Sequence, residues 1–211
     1  MEMLTGLILA GGPSRRMEGE NKAFLLLDNQ RMIERQIEEM KNGCSELIIV
    51  TNDPDPYLKI VDRSIRIITD YFPGKGPLSG MHAGLTLAKN RNVWVVGCDM
   101  PFLSAIAAKM LLQEKDEGIE AVIPSINGTI YPFHGVYDKS CVPHIIAALD
   151  QEGQELRYLL KKILWRELHE AEFAQRGIDC RFVKSIDTRQ DYEALIAWYE
   201  DARSKYLRMD M

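Results

Sequence analysis

The chain has 211 residues, 46% of them hydrophobic, and a formal net charge of −5. That is enough for one substantial core and predicts a single domain spanning 1–211, while the acidic balance argues against a large nucleic-acid surface. No stretch approaches the roughly 18 uninterrupted apolar residues of a membrane span, and no charged region precedes an apolar signal core at the N-terminus, so a cytoplasmic protein with no membrane attachment is expected.

The first element is a buried strand over 6–10 that ends abruptly at Gly11 and Gly12. The segment Leu7 to Lys22, LILAGGPSRRMEGENK, then places Arg15, Arg16 and Lys22 around a turn whose glycines let backbone N–H groups approach an anion. This fits a cradle for a triphosphate, and taken alone it fits an ordinary turn equally well. It is neither a Walker loop, since Ala23 follows the lysine, nor a GxGxxG dinucleotide fingerprint.

Further along, β-rich runs at 46–51, 65–69, 92–97 and 120–124 alternate with helical patterns at 31–41, 57–62, 78–89 and 104–114. Strands buried on both faces and alternating with helices predict an α/β fold: three layers, with a mostly parallel sheet flanked by helices. Beyond Pro124 the regularity weakens. A strand fits 131–137, helices fit 141–149 and 156–164, and 165–181 fits either a helix or a strand with a loop. A long amphipathic helix closes the chain over 189–206.

In such a sheet, ligands sit beyond the carboxyl ends of the strands. Those ends carry the glycine loop, Thr51-Asn52-Asp53-Pro54, Asp70 and Cys98-Asp99-Met100-Pro101. Asp99, directly after an apolar strand, is suited to a hydrated magnesium at a nucleotide, or to capping the next helix. Asp70 is placed either to bond a base or ribose or to end a turn in solvent. The glycines of Gly74-Lys75-Gly76-Pro77-Leu78-Ser79-Gly80 expose donors at a helix start or form a flexible turn. His82, His134, His144 and His169 lack metal-ligand spacing, and Ser14 and Ser79 lack the context of a nucleophile elbow. Cys44, Cys98, Cys141 and Cys180 are too far apart for a CxxC or zinc pattern and read as reduced, buried thiols.

LAGGPSRRMEGENK, the GPLSG of Gly76 to Gly80 and the CDMPF of Cys98 to Phe102 together resemble the molybdenum cofactor guanylyltransferases, within the wider group of NTP transferases. The resemblance runs to about Tyr137 and more loosely through Lys184 to Tyr192. It implies a Rossmann-like nucleotidyltransferase fold in which Leu9, Ala10, Gly11 and Gly12 hold GTP through backbone contacts and Lys22 binds phosphate. It also implies that Asn52, Asp70, Gly76, Pro77 and Leu78 lie near the nucleotide, that Asp99 is a magnesium ligand, and that Arg15 stabilises charge during transfer. The implied reaction moves GMP from GTP to the terminal phosphate of molybdopterin, with Mg2+ as cofactor and transient contacts with molybdenum cofactor proteins.

The chain departs from the family pattern in three places. Met17-Glu18-Gly19 puts a carboxylate where a glycine is usual, and Gly97 replaces the usual proline before the cysteine. Ser185-Ile186-Asp187-Thr188-Arg189 stands where asparagine, apolar, asparagine, threonine, proline is common, leaving Asp187 as a candidate acceptor or second metal contact. The alternatives are a related enzyme using CTP or a sugar-phosphate acceptor, and a non-catalytic nucleotide-binding module.

Overall fold

The computed structural model describes residues 3–11, 17, 20–151 and 156–209, with side chains through 200. Its centre is a sheet built around β1 (Leu4–Leu9), which pairs in parallel with β4 (Cys44–Val50) on one side and β6 (Asn92–Gly97) on the other. Between β1 and β4 the chain forms a hairpin, β2 (Leu26–Leu27) and β3 (Gln30–Arg31), and then α1 (Met32–Lys41). The two-residue loop of that hairpin is Asp28-Asn29, both at positive φ (53° and 62°), the left-handed pair that matches strand twist in a tight turn. A short α2 (Asp55–Leu58) and β5 (Arg66–Ile68) follow, then α3 (Pro77–Leu87) leads to β6.

After β6 come α4 (Ala105–Gln113), β7 (Ala121–Ile126), β8 (Thr129–Ile130) and β9 (Val136–Asp138). The chain continues through α5 (Val142–Leu149), α6 (Leu156–Leu160), β10 (Trp165–His169), α7 (Glu170–Gln175) and α8 (Arg189–Met209). The order across the sheet is β10-β7-β9-β6-β1-β4-β5, with β8 on β7. β9 is antiparallel to both of its neighbours, so the other strands of that path share one direction and their carboxyl ends form one rim. Among the described residues no helix is long and apolar enough to cross a membrane.

Strand pleating sends alternate side chains to opposite layers. Leu4, Ile8, Trp94 and Val96 pack with Ile33, Ile37 and Met40 of α1, with α4 and with Phe173 of α7. Leu7, Val93 and Val95 pack instead with Leu78, Met81 and Leu85 of α3, Ile145 of α5 and Leu159 of α6. This is the three-layer arrangement expected from the alternation of patterns. α3 lies unusually close to β1: a Cβ at Gly84 would overlap the Leu7 side chain, and one at Gly80 would come to 3.0 Å of Leu9 Cδ2. Glycines one helical turn apart therefore set the helix down on the strand and bring its first turn to the rim.

Several expected elements differ. The stretch 131–137 is not one strand, because Pro132 has no N–H to give a ladder. A 3-10 turn over Pro132–His134 intervenes, with Gly135 N donating to Pro132 O at 3.2 Å, before β9 begins. The 57–62 helix is shorter and earlier, and that at 156–164 ends at Leu160. The stretch 165–181, whose pattern fits either a helix or a strand with a loop, contains β10 and then α7. α8 lies against the hairpin: Tyr192, Leu195, Ile196 and Tyr199 pack on a small core of Met17, Leu25, Leu27, Met32 and Ile186.

The 3-10 turn also carries His134 into the core, fully buried between Trp94 (ring centroids 5.2 Å apart) and Phe182 (4.6 Å). Burial lowers its pKa to about 3. The unfolded chain, whose imidazole titrates near 6.5, therefore binds more protons than the fold between about pH 6.5 and 3, and stability falls as pH drops through that window by about 1.4 kcal/mol per unit. Chemical denaturation at pH 7 and pH 5 is expected to show His134→Phe losing about 2 kcal/mol less than the natural chain over that step; equal losses would mean that His134 does not set the acid limb.

Candidate functional site

The rim begins where β1 ends. Ala10 N donates to Val50 O at 2.8 Å, and Leu9 O accepts from Cys98 N at 3.1 Å, so the peptide after β1 is tied to the ends of both neighbouring strands. Leu9, Ala10 and Gly11 therefore occupy the centre of the rim, while Gly12, Arg15, Arg16 and Glu18 lie outside the described residues. The loop returns at Met17, buried against Leu27 and Met32, and at Asn21. Asn21 Oδ1 accepts from Ala23 N at 3.0 Å, capping a 3-10 turn over Lys22–Phe24, and its Nδ2 donates to the buried Tyr57 hydroxyl at 3.2 Å. This fixes the backbone from which Lys22 projects.

On one flank, over β4 and β5, Asn52 Nδ2 donates to Asp70 Oδ2 at 3.0 Å. A Cβ on Gly11 would come to 3.7 Å of the same Asn52 nitrogen, so the β1 loop, Asn52 and Asp70 are contiguous. α3 opens beside them. Gly76 adopts φ +71°, Pro77 stands in the first turn with Ser79 N donating to Gly76 O at 3.1 Å, and no acidic residue lies there to repel an anion. Ser79 Oγ accepts from Phe72 N at 3.2 Å, which holds the preceding loop against the helix.

On the other flank, over β6, Lys22 Nζ stands 3.4 Å from Asp99 Oδ2 and 3.5 Å from Asp187 Oδ1. Both distances exceed the 2.7–2.9 Å of a tight charge-assisted bond, so the ammonium is shared between the acids and not locked to either. Burial raises the Asp99 carboxyl above its ordinary range; Lys22 opposes this and the Asp187 charge adds to it. A cation relieves that condition. Among the described residues no cluster of three or more His, Cys, Asp or Glu is able to hold a metal, so Asp99 and Asp187 would supply two ligands and leave the remaining positions to phosphate oxygens and water, as magnesium prefers.

Three supports of this flank are not evident from motifs. Gln36, buried on α1, donates through Nε2 to Gly97 O at 2.9 Å and to Met100 O at 2.8 Å, bracing both ends of the turn that carries Asp99. Ile186 N donates to Asp99 O at 2.8 Å, stitching the C-terminal segment to that turn. Asp191 Oδ2 accepts from Asp187 N (3.0 Å) and Thr188 N (2.8 Å), and Thr188 Oγ1 accepts from Asp191 N at 3.2 Å. Of these, Thr188-x-x-Asp191 is legible as a reciprocal helix cap, and Gln36 as a polar residue inside the apolar stripe of α1. The bond from Ile186 has no sequence signal.

Gly97 acquires a reason here. A Cβ at that position would press on Asp99 Oδ1, so the glycine leaves the carboxylate its present rotamer. Cys98 is no nucleophile: burial, then the neighbouring Asp99, push its thiol up to about 12. All four cysteines are free.

The arrangement is thus a rim with an Asn52–Asp70 flank over β4, β5 and α3, a cation-and-carboxylate flank over β6, and the peptide through Gly11 between them. Residues 6–171 match the family described as the MobA-like NTP transferase domain. The chain is 33% identical over 195 residues to the molybdenum cofactor guanylyltransferase of Desulfosudis oleivorans, covering 92% of this chain and 94% of that protein. It is likewise 33% identical over 192 residues to the probable molybdenum cofactor guanylyltransferase of Clostridium perfringens strain 13, covering 90% and 94%. The crystal structure of molybdopterin-guanine dinucleotide biosynthesis protein A from Archaeoglobus fulgidus shares the fold, with a TM-score of 0.78, 22% identity, and 95% and 99% of the two chains covered. The chain is a nucleotidyltransferase and belongs to the MobA-like NTP transferase family.

Proposed function

We propose that this chain transfers the GMP portion of GTP to the terminal phosphate of molybdopterin, forming a guanine dinucleotide and releasing pyrophosphate. The observation that carries the reading is the convergence of Lys22, Asp99 and Asp187 beside the β1 turn, in a chain whose relatives are named for this activity. The acceptor is a phosphate monoester and already anionic, so no strong general base is needed. An acceptor oxygen forms a bond to the α-phosphorus of GTP while the bond from that phosphorus to the bridging α,β-oxygen breaks, and the electron pair leaves with pyrophosphate. Catalysis then rests on alignment and neutralisation of charge.

In this assignment Asn52 and Asp70 face the nucleoside, and Leu9, Ala10, Gly11 and Gly12 present backbone groups to the nucleotide. Gly76, Pro77 and Leu78 bring the start of α3 beside it. Lys22, with Arg15 from the segment outside the described residues, balances charge on the phosphates. Asp99, with Asp187 beside it, would hold Mg2+, which supplies charge neutralisation at the phosphates when bound. Lys22 lies between the two acids at distances that leave it free to shift toward a phosphate oxygen. The whole chain acts as one nucleotidyltransferase domain in the cytoplasm and meets molybdenum cofactor proteins only transiently.

Three measurements test this. The chain incubated with GTP, Mg2+ and molybdopterin is expected to yield a guanine dinucleotide and pyrophosphate, with GTP preferred over CTP, UTP and ATP in thermal-shift titrations; a CTP preference would move it to a different nucleotide class. Lys22→Ala should lose a charge-assisted contact worth about 1.5 to 3 kcal/mol, roughly a tenfold to hundredfold fall in kcat/KM for GTP. Undiminished transfer would remove Lys22 from the phosphate site. Asp99→Asn is expected to raise the Mg2+ concentration needed for half-maximal rate, and an unchanged titration curve would place the metal elsewhere.

A further inference from the structure

The buried face of α1 is apolar except at one position. Met32, Ile33, Ile37 and Met40 share it with Gln36, which is 1% exposed. The end of this side chain meets two carbonyl oxygens, Gly97 O at 2.9 Å and Met100 O at 2.8 Å, so the atom between them is the amide nitrogen and both of its hydrogens are used. The other atom, Oε1, is buried and accepts no hydrogen bond from the described residues. A leucine here would fill the space without leaving a buried acceptor alone. What the amide adds is therefore at the turn, and packing does not account for it.

That turn depends on bonds from outside. Gly97 leaves Asp99 Oδ1 its place, since a Cβ there would press on that oxygen, but a glycine also adds backbone freedom just before the carboxylate. The turn's internal bond, Met100 N to Gly97 O, is long at 3.4 Å. Cys98 N is tied to Leu9 O at 3.1 Å and Asp99 O to Ile186 N at 2.8 Å, each fixing one residue. Of these supports Gln36 alone spans both ends, binding the residue before Cys98-Asp99 and the residue after it.

We propose that Gln36 is a positioning residue for the metal site: by holding Gly97 and Met100 it sets where the Asp99 carboxylate meets magnesium. Buried beneath the turn, it acts through main chain and not by contact with substrate. The inference rests on Asp99 as the magnesium ligand of the reaction above and adds what places that ligand. Magnesium demands near-ideal octahedral geometry, whereas calcium accepts a larger and less regular shell of oxygens. A slack turn should therefore cost the smaller ion more. A role in fold stability alone would not separate the two ions.

Calorimetric binding of GTP to the full chain, without acceptor and in Mg2+, Ca2+ or EDTA, tests it. Gln36→Leu is expected to weaken binding in Mg2+ about tenfold or more, the usual range for removing a partner that orients a metal ligand. It should weaken binding in Ca2+ by a smaller factor and leave binding in EDTA unchanged. Gln36→Met, unbranched and without donors, should repeat the pattern and replaces the leucine variant if that one does not fold. Ile37→Ala, a cavity in the same buried face, should lower the melting temperature without separating the ions. Equal losses in Mg2+ and Ca2+, or no loss in either, would overturn the proposal, as would failure of both Gln36 variants to fold. If the natural chain binds GTP no more tightly in Mg2+ than in EDTA, the metal leaves Asp99 and this role for Gln36 falls, while dinucleotide synthesis is assayed separately. If binding depends on Mg2+ but no dinucleotide forms, the reaction assignment falls and the comparison of ions still decides Gln36.

Discussion

The structure depends on one ammonium group shared by two carboxylates from remote parts of the chain. Lys22 is 77 positions from Asp99 and 165 from Asp187, yet Nζ reaches both. Each of the three is delivered by a separate device: a 3-10 turn capped by Asn21, a β6–α4 turn braced by Gln36, and a C-terminal segment hydrogen-bonded to that turn through Ile186. Without the lysine, two acids would face each other beside a buried turn, and the burial that already raises the Asp99 carboxyl would favour its neutral form. The ion pair is therefore less a source of stability than a way to favour the charged form of the Asp99 carboxyl against its burial.

Division of the rim into two flanks follows from sheet order. β1 lies centrally, β4 and β5 to one side and β6 to the other, and the peptide after β1 is bonded to both sides. In the proposed reaction a triphosphate laid across that peptide would have its nucleoside over Asn52 and Asp70 and its phosphates over Lys22 and Asp99. α3 packs close beside that peptide. Gly80 and Gly84 allow the helix to touch Leu7 and Leu9. A larger residue at either position would press the helix away from the strand.

Much of this was legible in the residues because it is local. Short apolar runs ending in Gly, Asn or Asp mark β1, β4, β5 and β6 together with what they present, since a parallel strand and its terminal loop are encoded in one contiguous segment. What escaped is non-local or contradictory in pattern. The run 131–137 has the composition of a strand, but Pro132 interrupts the ladder and a turn forms first. Gln36 acts on a turn 61 to 64 residues away, and its role shows only once α1 is packed against β6. The bond from Ile186 N to Asp99 O joins segments remote in the chain, and no periodicity within one segment reveals such a contact.

Two of the three departures from the family pattern, at Gly97 and at Asp187, belong to one local arrangement. Gly97 leaves room for the Asp99 carboxylate where a side chain would press on it, and Asp187 brings a second charge to the same lysine. Under the proposed function a second acid would strengthen the hold on a divalent cation but also repel an incoming triphosphate, and Lys22 would offset that repulsion. Ser185 Oγ donates to Asp187 Oδ2 at 3.1 Å and Asp191 accepts from its N–H, so the new carboxylate is oriented by residues on both sides of it in sequence. Because Ile186 N is bonded to Asp99 O, a change at 185–187 would move Asp187 and the Asp99 turn together.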